Sequence, residues 1–303
     1  MPRQILSRTY ESDFLTLHGL QTLSGCVPQE LDQFIVKELA DNALDAADEQ
    51  HSGNHPSVQV WSSVKDGVLE LKVSDNAFGI DNEAIRKIAD LTRKYSSRFN
   101  YKYPTRGSMG HAWKLILGAT YALWNNAGRK NEPEAPITIY NHKSNTQYAL
   151  RLEYDEEAKV VLEKKKVPNV SIEETTGTTV TVKLPIFNPE WAKDDRHHLT
   201  VFQFALFNPH VLFTYNGKRF SSLTEKDIHA KIRESGHWFS FEEFHQRVKA
   251  TAKDYPETTL GQFVSGFRGF SGFHQQKALL DRLGGDRTLS SIAASLDETN
   301  GLF

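Results

Sequence analysis

Between Phe34 and Gln50 the chain reads "FIVKELADNALDAADEQ", where apolar and polar positions each recur every three to four residues. That period predicts a helix, in which residues so spaced share a face with Cβ atoms roughly 5–6 Å apart. Ile35, Leu39, Ala43 and Ala46 form one stripe, and Glu38, Asn42, Asp45 and Glu49 form another beside it. Next, "SVQVWSSVKDGVLELKVSD" alternates on both sides of Asp66 and Gly67, which predicts a β-hairpin whose second strand ends at Asp75. "DNEAIRKIADL", with Asp81 as its cap, and "AWKLILGATYALWN" predict two further helices. The polar, aromatic-laced stretch between them, "TRKYSSRFNYKYPTRGSMGH", is a connection of the length that serves as a lid or a binding segment.

Three strand-like runs follow, "PITIYNH", "TQYALRLEYD" and "AKVVLEKKKV". A fourth, "TGTTVTVKLP", is rich in β-branched residues and is expected to close the sheet. The pattern then turns helical in "RHHLTVFQFALFNP", which Pro209 ends. From about Ser222 it reads as helices joined by short turns, including "GFRGFSGF", with Trp238, Phe239, Phe241 and Phe244 as core. The expected class is α+β, a mixed sheet covered by helices followed by a small helical domain. The expected limits are an amino-terminal arm over 1–27, a sheet-bearing domain over 28–220 and a helical domain over 221–303.

Composition narrows the setting. At 303 residues the chain can bury a sizeable core, and 36 basic against 38 acidic residues make any binding field a local one. The single Cys26 excludes an internal disulfide and any cysteine-based zinc site, which suits a reducing, cytoplasmic setting. The amino terminus has no apolar signal core, and the most apolar later stretch, near Leu115 to Trp124, is too short to span a bilayer.

The order of motifs says more than any one of them. A helix with Glu38 and Asn42, a strand ending in "SDNAFGI", a long loop closed by "RGSMGH" and a late strand with "TGTTVTV" together resemble the GHKL ATPases. That superfamily includes gyrase B, the heat-shock-ninety chaperones, histidine kinases and MutL. Within it "ELADNALDA", "FNPHVLFTYNG" and "FVSGFRGFSG" look most like the B subunits of topoisomerase VI. The resemblance implies a Bergerat-type ATP-binding α/β sandwich, followed by a region like the helix-two-turn-helix domain.

Phosphoanhydride hydrolysis needs magnesium to neutralise charge and a group that orients or deprotonates the attacking water. Glu38 suits the catalytic role, with a general-base effect of roughly 10²–10⁴ in rate. Asn42, one turn on, offers magnesium a neutral oxygen, and the resemblance implies the same two roles. Asp45 shares their face. By resemblance Asp75 accepts a hydrogen bond from the adenine amine, Gly79 brings the backbone near the base, and Thr178 supports the base through Asp75 or a water. Ala77 departs from the family pattern, which has glycine there, and a positive φ at that position would cost about 1 kcal/mol or more.

The loop from Arg93 to Arg106 resembles the ATP lid, and Arg106, Gly107, Ser108, Met109, Gly110 and His111 are its expected nucleotide-binding residues, with backbone wrapping phosphates at a helix amino terminus. Between residues 86 and 114 eight Lys or Arg residues, among them Lys114, face one acid, Asp90.

The function expected is magnesium-dependent ATP binding and hydrolysis coupled to dimerisation in a DNA-linked machine. ATP and Mg2+ are the cofactors, and the partners are a second copy, contacted through residues 1–27, and an effector or DNA-cleaving subunit. DNA itself is a further candidate, through Arg268, and a membrane is not. The chain stops about where a transducer domain would begin, and DNA cleavage would need another subunit. A nucleotide-sensing dimerisation module without turnover is the alternative. A histidine-kinase-type phosphotransferase fits less well, because no two-helix segment with a phosphoacceptor histidine precedes the pocket.

Overall fold

Every second strand residue carries the side chain that the core needs, and these residues meet on one face of a single sheet. The structure, a computed structural model, describes residues 10–49, 55–93, 110–129, 133–154, 158–167, 176–193, 195–220, 235–270 and 273–293. They fall into two compact units, one holding those from 10 to 93 and 111 to 220, the other residue 110 and those from 235 to 293.

The first unit runs through a 3-10 turn at Tyr10–Leu15, α1 (Leu17–Ser24), α2 (Leu31–Glu49), β1 (Ser57–Lys65), β2 (Val68–Asp75), α3 (Asn82–Ala89) and α4 (Ala112–Asn126). It continues with β3 (Ile137–Asn141), β4 (Thr146–Tyr154), β5 (Ala158–Lys166), β6 (Thr178–Pro185), α5 (His198–Phe207), β7 (Leu212–Tyr215) and β8 (Lys218–Arg219). Among the described residues the strands form one mixed sheet in the order β5-β4-β3-β6-β2-β1-β7-β8. Val58, Val60, Leu69, Leu71, Ile137, Ile139, Leu150, Val182 and Phe213 are fully buried beneath the helices. Their neighbours point to the other face, where the Lys72 ammonium lies 4.3 Å from the Trp61 ring centre. The architecture is therefore α+β in two layers.

One sequence expectation changes, and one strand is present beyond those expected. "TGTTVTVKLP" does not close the sheet: β6 lies at its centre, paired with β2 and β3. Periodicity reports which residues face inward but not which strands are neighbours. Also, "LFTY" at 212–215 is a strand, parallel to β1, which makes the sheet mixed. The hairpin turn is as expected, with Asp66 and Gly67 at φ of 51° and 72°, the positive pair that a tight two-residue turn favours.

Two devices fix the helices. The Asp32 carboxylate, fully buried at the start of α2, accepts from Arg196 Nε at 2.8 Å, from Arg196 Nη2 at 3.1 Å and shares a bond with His197 Nε2 at 3.1 Å. Arg196 and Trp191 also donate to the Gln29 carbonyl. On α4, Gly118 has no side chain where the Phe14 carbonyl passes; a Cβ there would lie 2.1 Å from that oxygen. The described part of the amino-terminal segment thus packs in its own unit, with Phe14 and Leu20 in the core.

The second unit holds α6 (Phe241–Asp254), α7 (Leu260–Ser265), α8 (Phe273–Arg282) and α9 (Leu289–Ile292). Capping boxes at Ser240/Glu243 and Thr259/Gln262 start the first two of these. Phe239, Phe244, Phe263 and Phe267 pack together, and the Arg247 guanidinium lies 5.3 Å from the Phe267 ring centre. Phe239 and Phe244 are core as expected, but Trp238 is 37% exposed, its ring 6.0 Å from the Arg268 guanidinium. Among the described residues no helix is long and apolar enough to cross a membrane.

Candidate functional site

The first unit has a cavity of about 350 Å³ between α2, the end of β2, the loop after it, α3, the first turn of α4 and β6. Leu39, Ala43, Ala46, Val73, Ile80, Trp113 and Val180 give it apolar walls, into which Asn42, Asp75, Asp81 and Thr178 bring polar groups. A mainly apolar concavity with a few convergent polar groups is the usual form of a small-molecule site.

Asp75 reaches this cavity because β2 alternates Leu69, Leu71, Val73 and Asp75 toward the helices. It is 6% exposed, and its Oδ1 accepts the N–H of Ala77 at 2.9 Å and of Thr178 at 3.2 Å. Thr178 therefore supports the carboxylate directly, through its backbone. Gly177, before it, has φ of +106°, and a Cβ there would meet the Asp75 carbonyl oxygen at 1.9 Å. Only glycine fits this place. "TGTTV" contains that signal, but a glycine before a strand reads equally as a turn.

Gly79 lines the cavity with φ of +89°, and a Cβ would stand 2.9 Å from Asn141 Nδ2. Ala77 is not strained: it is buried in the cavity wall outside the positive-φ residues, so the expected conformational cost does not arise. Asn141 was not expected. It donates to the Ile80 carbonyl at 2.5 Å and accepts from the Ser144 N–H, so it ties the loop 76–81 to the β3–β4 turn. Trp113 and Ile80 are further cavity residues to which the sequence assigns no role, and Asp81, expected only as a helix cap, is another. Asp81 also caps α3 by accepting from the Ala84 N–H at 2.7 Å.

Asn42 lines the cavity, and its buried Nδ2 has no hydrogen-bond partner among the described residues. A buried amide left unpaired costs stability unless a ligand completes it. Glu38, one turn earlier, is not among the lining residues; its Oε1 lies 2.7 Å from Lys37 Nζ. Asn42, Asp75, Gly79 and Thr178 are thus brought together, with Glu38 outside their group.

Arg106, Gly107, Ser108 and Met109 lie outside the described residues. Gly110 has φ of +65°, and His111 is the N-cap residue of α4, its ring 6.2 Å from that of Phe14. Lys114 is not part of an exposed basic field. It is 3% exposed and donates to the Leu91 carbonyl at 2.5 Å. Lys87 pairs with Glu83. Among the described residues no three His, Cys, Asp or Glu side chains cluster as metal ligands do. The unpaired Asn42 Nδ2 is a donor that suits an oxygen acceptor, and it is the Oδ1 atom of the same amide that would face a magnesium ion.

No model of a known protein family matches the chain. Over 113 residues it is 41% identical to the B subunit of the type 2 DNA topoisomerase 6 of Natronomonas pharaonis. That match covers 37% of this chain and 13% of the length of the Natronomonas protein, so the similarity is partial.

Proposed function

We propose that this chain is a magnesium-dependent ATPase module of the GHKL type, with a Bergerat-like sandwich over 28–220, whose nucleotide-driven dimerisation serves a DNA-linked machine like topoisomerase VI. The observation that carries this reading is the meeting of Asn42, Asp75 and Thr178 in one small apolar-walled cavity. The 113-residue similarity to the B subunit of a DNA topoisomerase supports it.

In this reading Asp75, held by two N–H groups, accepts from the adenine amine, and the apolar walls stack against the base. Asn42 holds magnesium, which would neutralise phosphate charge, and Glu38 turns the attacking water toward the terminal phosphate. Arg106 to His111 gather the phosphates. The partners are a second copy of the chain and an effector or DNA-cleaving subunit, with 221–303 as the helical spacer.

One observation favours a second reading, a nucleotide-sensing module without turnover: Glu38 is paired with Lys37 and stands off the cavity wall. Phosphate release measured with and without DNA separates the two. The ATPase reading expects release that Glu38→Gln abolishes while calorimetry still detects ATP analogue binding. Turnover surviving in Glu38→Gln removes Glu38 as base, and no binding by the unmodified chain refutes both readings.

A further inference from the structure

Lys37 holds two carboxylates at once. Its Nζ lies 2.7 Å from Glu38 Oε1 and 2.9 Å from Asp41 Oδ2. The two bonds are not equivalent in helix geometry. Residues 37 and 41 are one turn apart and face each other, whereas adjacent residues diverge by about 100° around the axis and do not. The Lys37–Asp41 pair is therefore the one that the backbone favours, and the Lys37–Glu38 bond engages a carboxylate that does not line the cavity. The side chains of Glu38 and Asp41 are 18% and 16% exposed and that of Lys37 is 51% exposed, so one half-solvated ammonium serves two mostly covered carboxylates. Burial lowers the Lys37 pKa, but the bonds to Glu38 and Asp41 outweigh it and leave it above the ordinary lysine value.

We infer that Lys37 is a positioning residue that restrains Glu38 in the nucleotide-free chain, and that Asp41 is the alternative partner which keeps Lys37 when Glu38 turns toward the cavity. This rests on the proposed ATPase reading and adds to it a means of setting turnover. Asp41 lets the ammonium release Glu38 without being left unpaired. The exchange moves no proton and breaks no covalent bond: one ion pair is given up while its neighbour persists.

Steady-state ATP hydrolysis by the full chain tests it, with Lys37→Met, Asp41→Asn, the double variant and Lys37→Arg. Pairs of this exposure are weak, which limits the effects to about two- to fivefold. Lys37→Met should raise kcat with KM unchanged. Asp41→Asn should lower it, because Glu38 is then the remaining partner of Lys37. In the double variant the Asp41 substitution should have no effect beyond that of Lys37→Met, and Lys37→Arg should restore the starting kcat.

Any other pattern overturns the inference, including equal effects of Asp41→Asn in both backgrounds, a fall in kcat on Lys37→Met, or unchanged rates throughout. Its failure is told apart from that of the ATPase reading by Glu38→Gln measured alongside. If Glu38→Gln binds analogue without turning over ATP, the base assignment stands and only the Lys37 inference is lost. Where Glu38→Gln retains turnover, the base assignment fails and the inference with it, and where the unmodified chain binds no analogue, the ATPase reading itself fails.

Discussion

Asp32 and Asn42 stand on one helix, ten residues and about 15 Å of axis apart, and both bring buried polar atoms into an apolar setting. Asp32 is answered by Arg196 and His197, which satisfy its carboxylate from within the chain. The Asn42 amide has an Nδ2 that no described residue answers. A satisfied buried group fixes the fold, and an unsatisfied one beside a cavity is kept for something that arrives later. The beginning of α2 is thus built for stability, and in the proposed reading its middle is built for a ligand.

Replacing Asp32 should break this comparison most severely. Asp32→Ala leaves the Arg196 guanidinium without its carboxylate and should cost about 3–5 kcal/mol, toward the lower value because the Arg196 side chain is 17% exposed. The check is the midpoint of urea unfolding.

Acid should remove the same contribution more gently. Burial pushes the Asp32 carboxyl up, but the hydrogen bonds from His197 and Arg196 outweigh it and hold the group below its ordinary value. A depressed folded value means that the stabilisation is complete above the ordinary carboxylate pKa of about 3.9 and is lost as pH falls through the lower folded value. The urea midpoint should therefore drop more steeply below about pH 4 in the unmodified chain than in Asp32→Asn.

The smallest effect on stability is expected at Asn42, and it sharpens the contrast. Asn42→Ala removes no side-chain hydrogen bond among the described residues, so unfolding should shift by less than about 1 kcal/mol. Magnesium-dependent binding of an ATP analogue should weaken by about tenfold, equivalent to roughly 1.4 kcal/mol. Unchanged affinity in calorimetry would assign the amide to packing alone.

The legible parts of the sequence are those set by local rules. The alternation in β1 to β6, the positive-φ turn at Asp66 and Gly67, the Asp81 cap and the long polar-striped helix all follow from residues close in the chain. What escapes depends on distant partners. β7 carries a local mark in the Asn216-Gly217 turn that joins it to β8, with φ of 47° and 76°, but nothing local reports its parallel pairing with β1, some 150 residues away. Lys114 reads as a free cation until the Leu91 carbonyl is placed beside it. Asn141 and Gly177 look like turn residues, and only the neighbouring Gly79 and Asp75 backbones give them a place at the cavity. Ala77 looks costly if a glycine pattern is equated with positive φ, and here the two do not coincide.

The pairing of the two central strands has a consequence for how the protein is made. Ser74 lies opposite Thr179, and Val73 opposite Val180, which puts Asp75 and Thr178 side by side on the helix-covered surface. Sliding one strand past the other by a single position would turn either Asp75 or Thr178 toward the uncovered surface. Correct alignment of the sheet and completion of the cavity floor are therefore one and the same step.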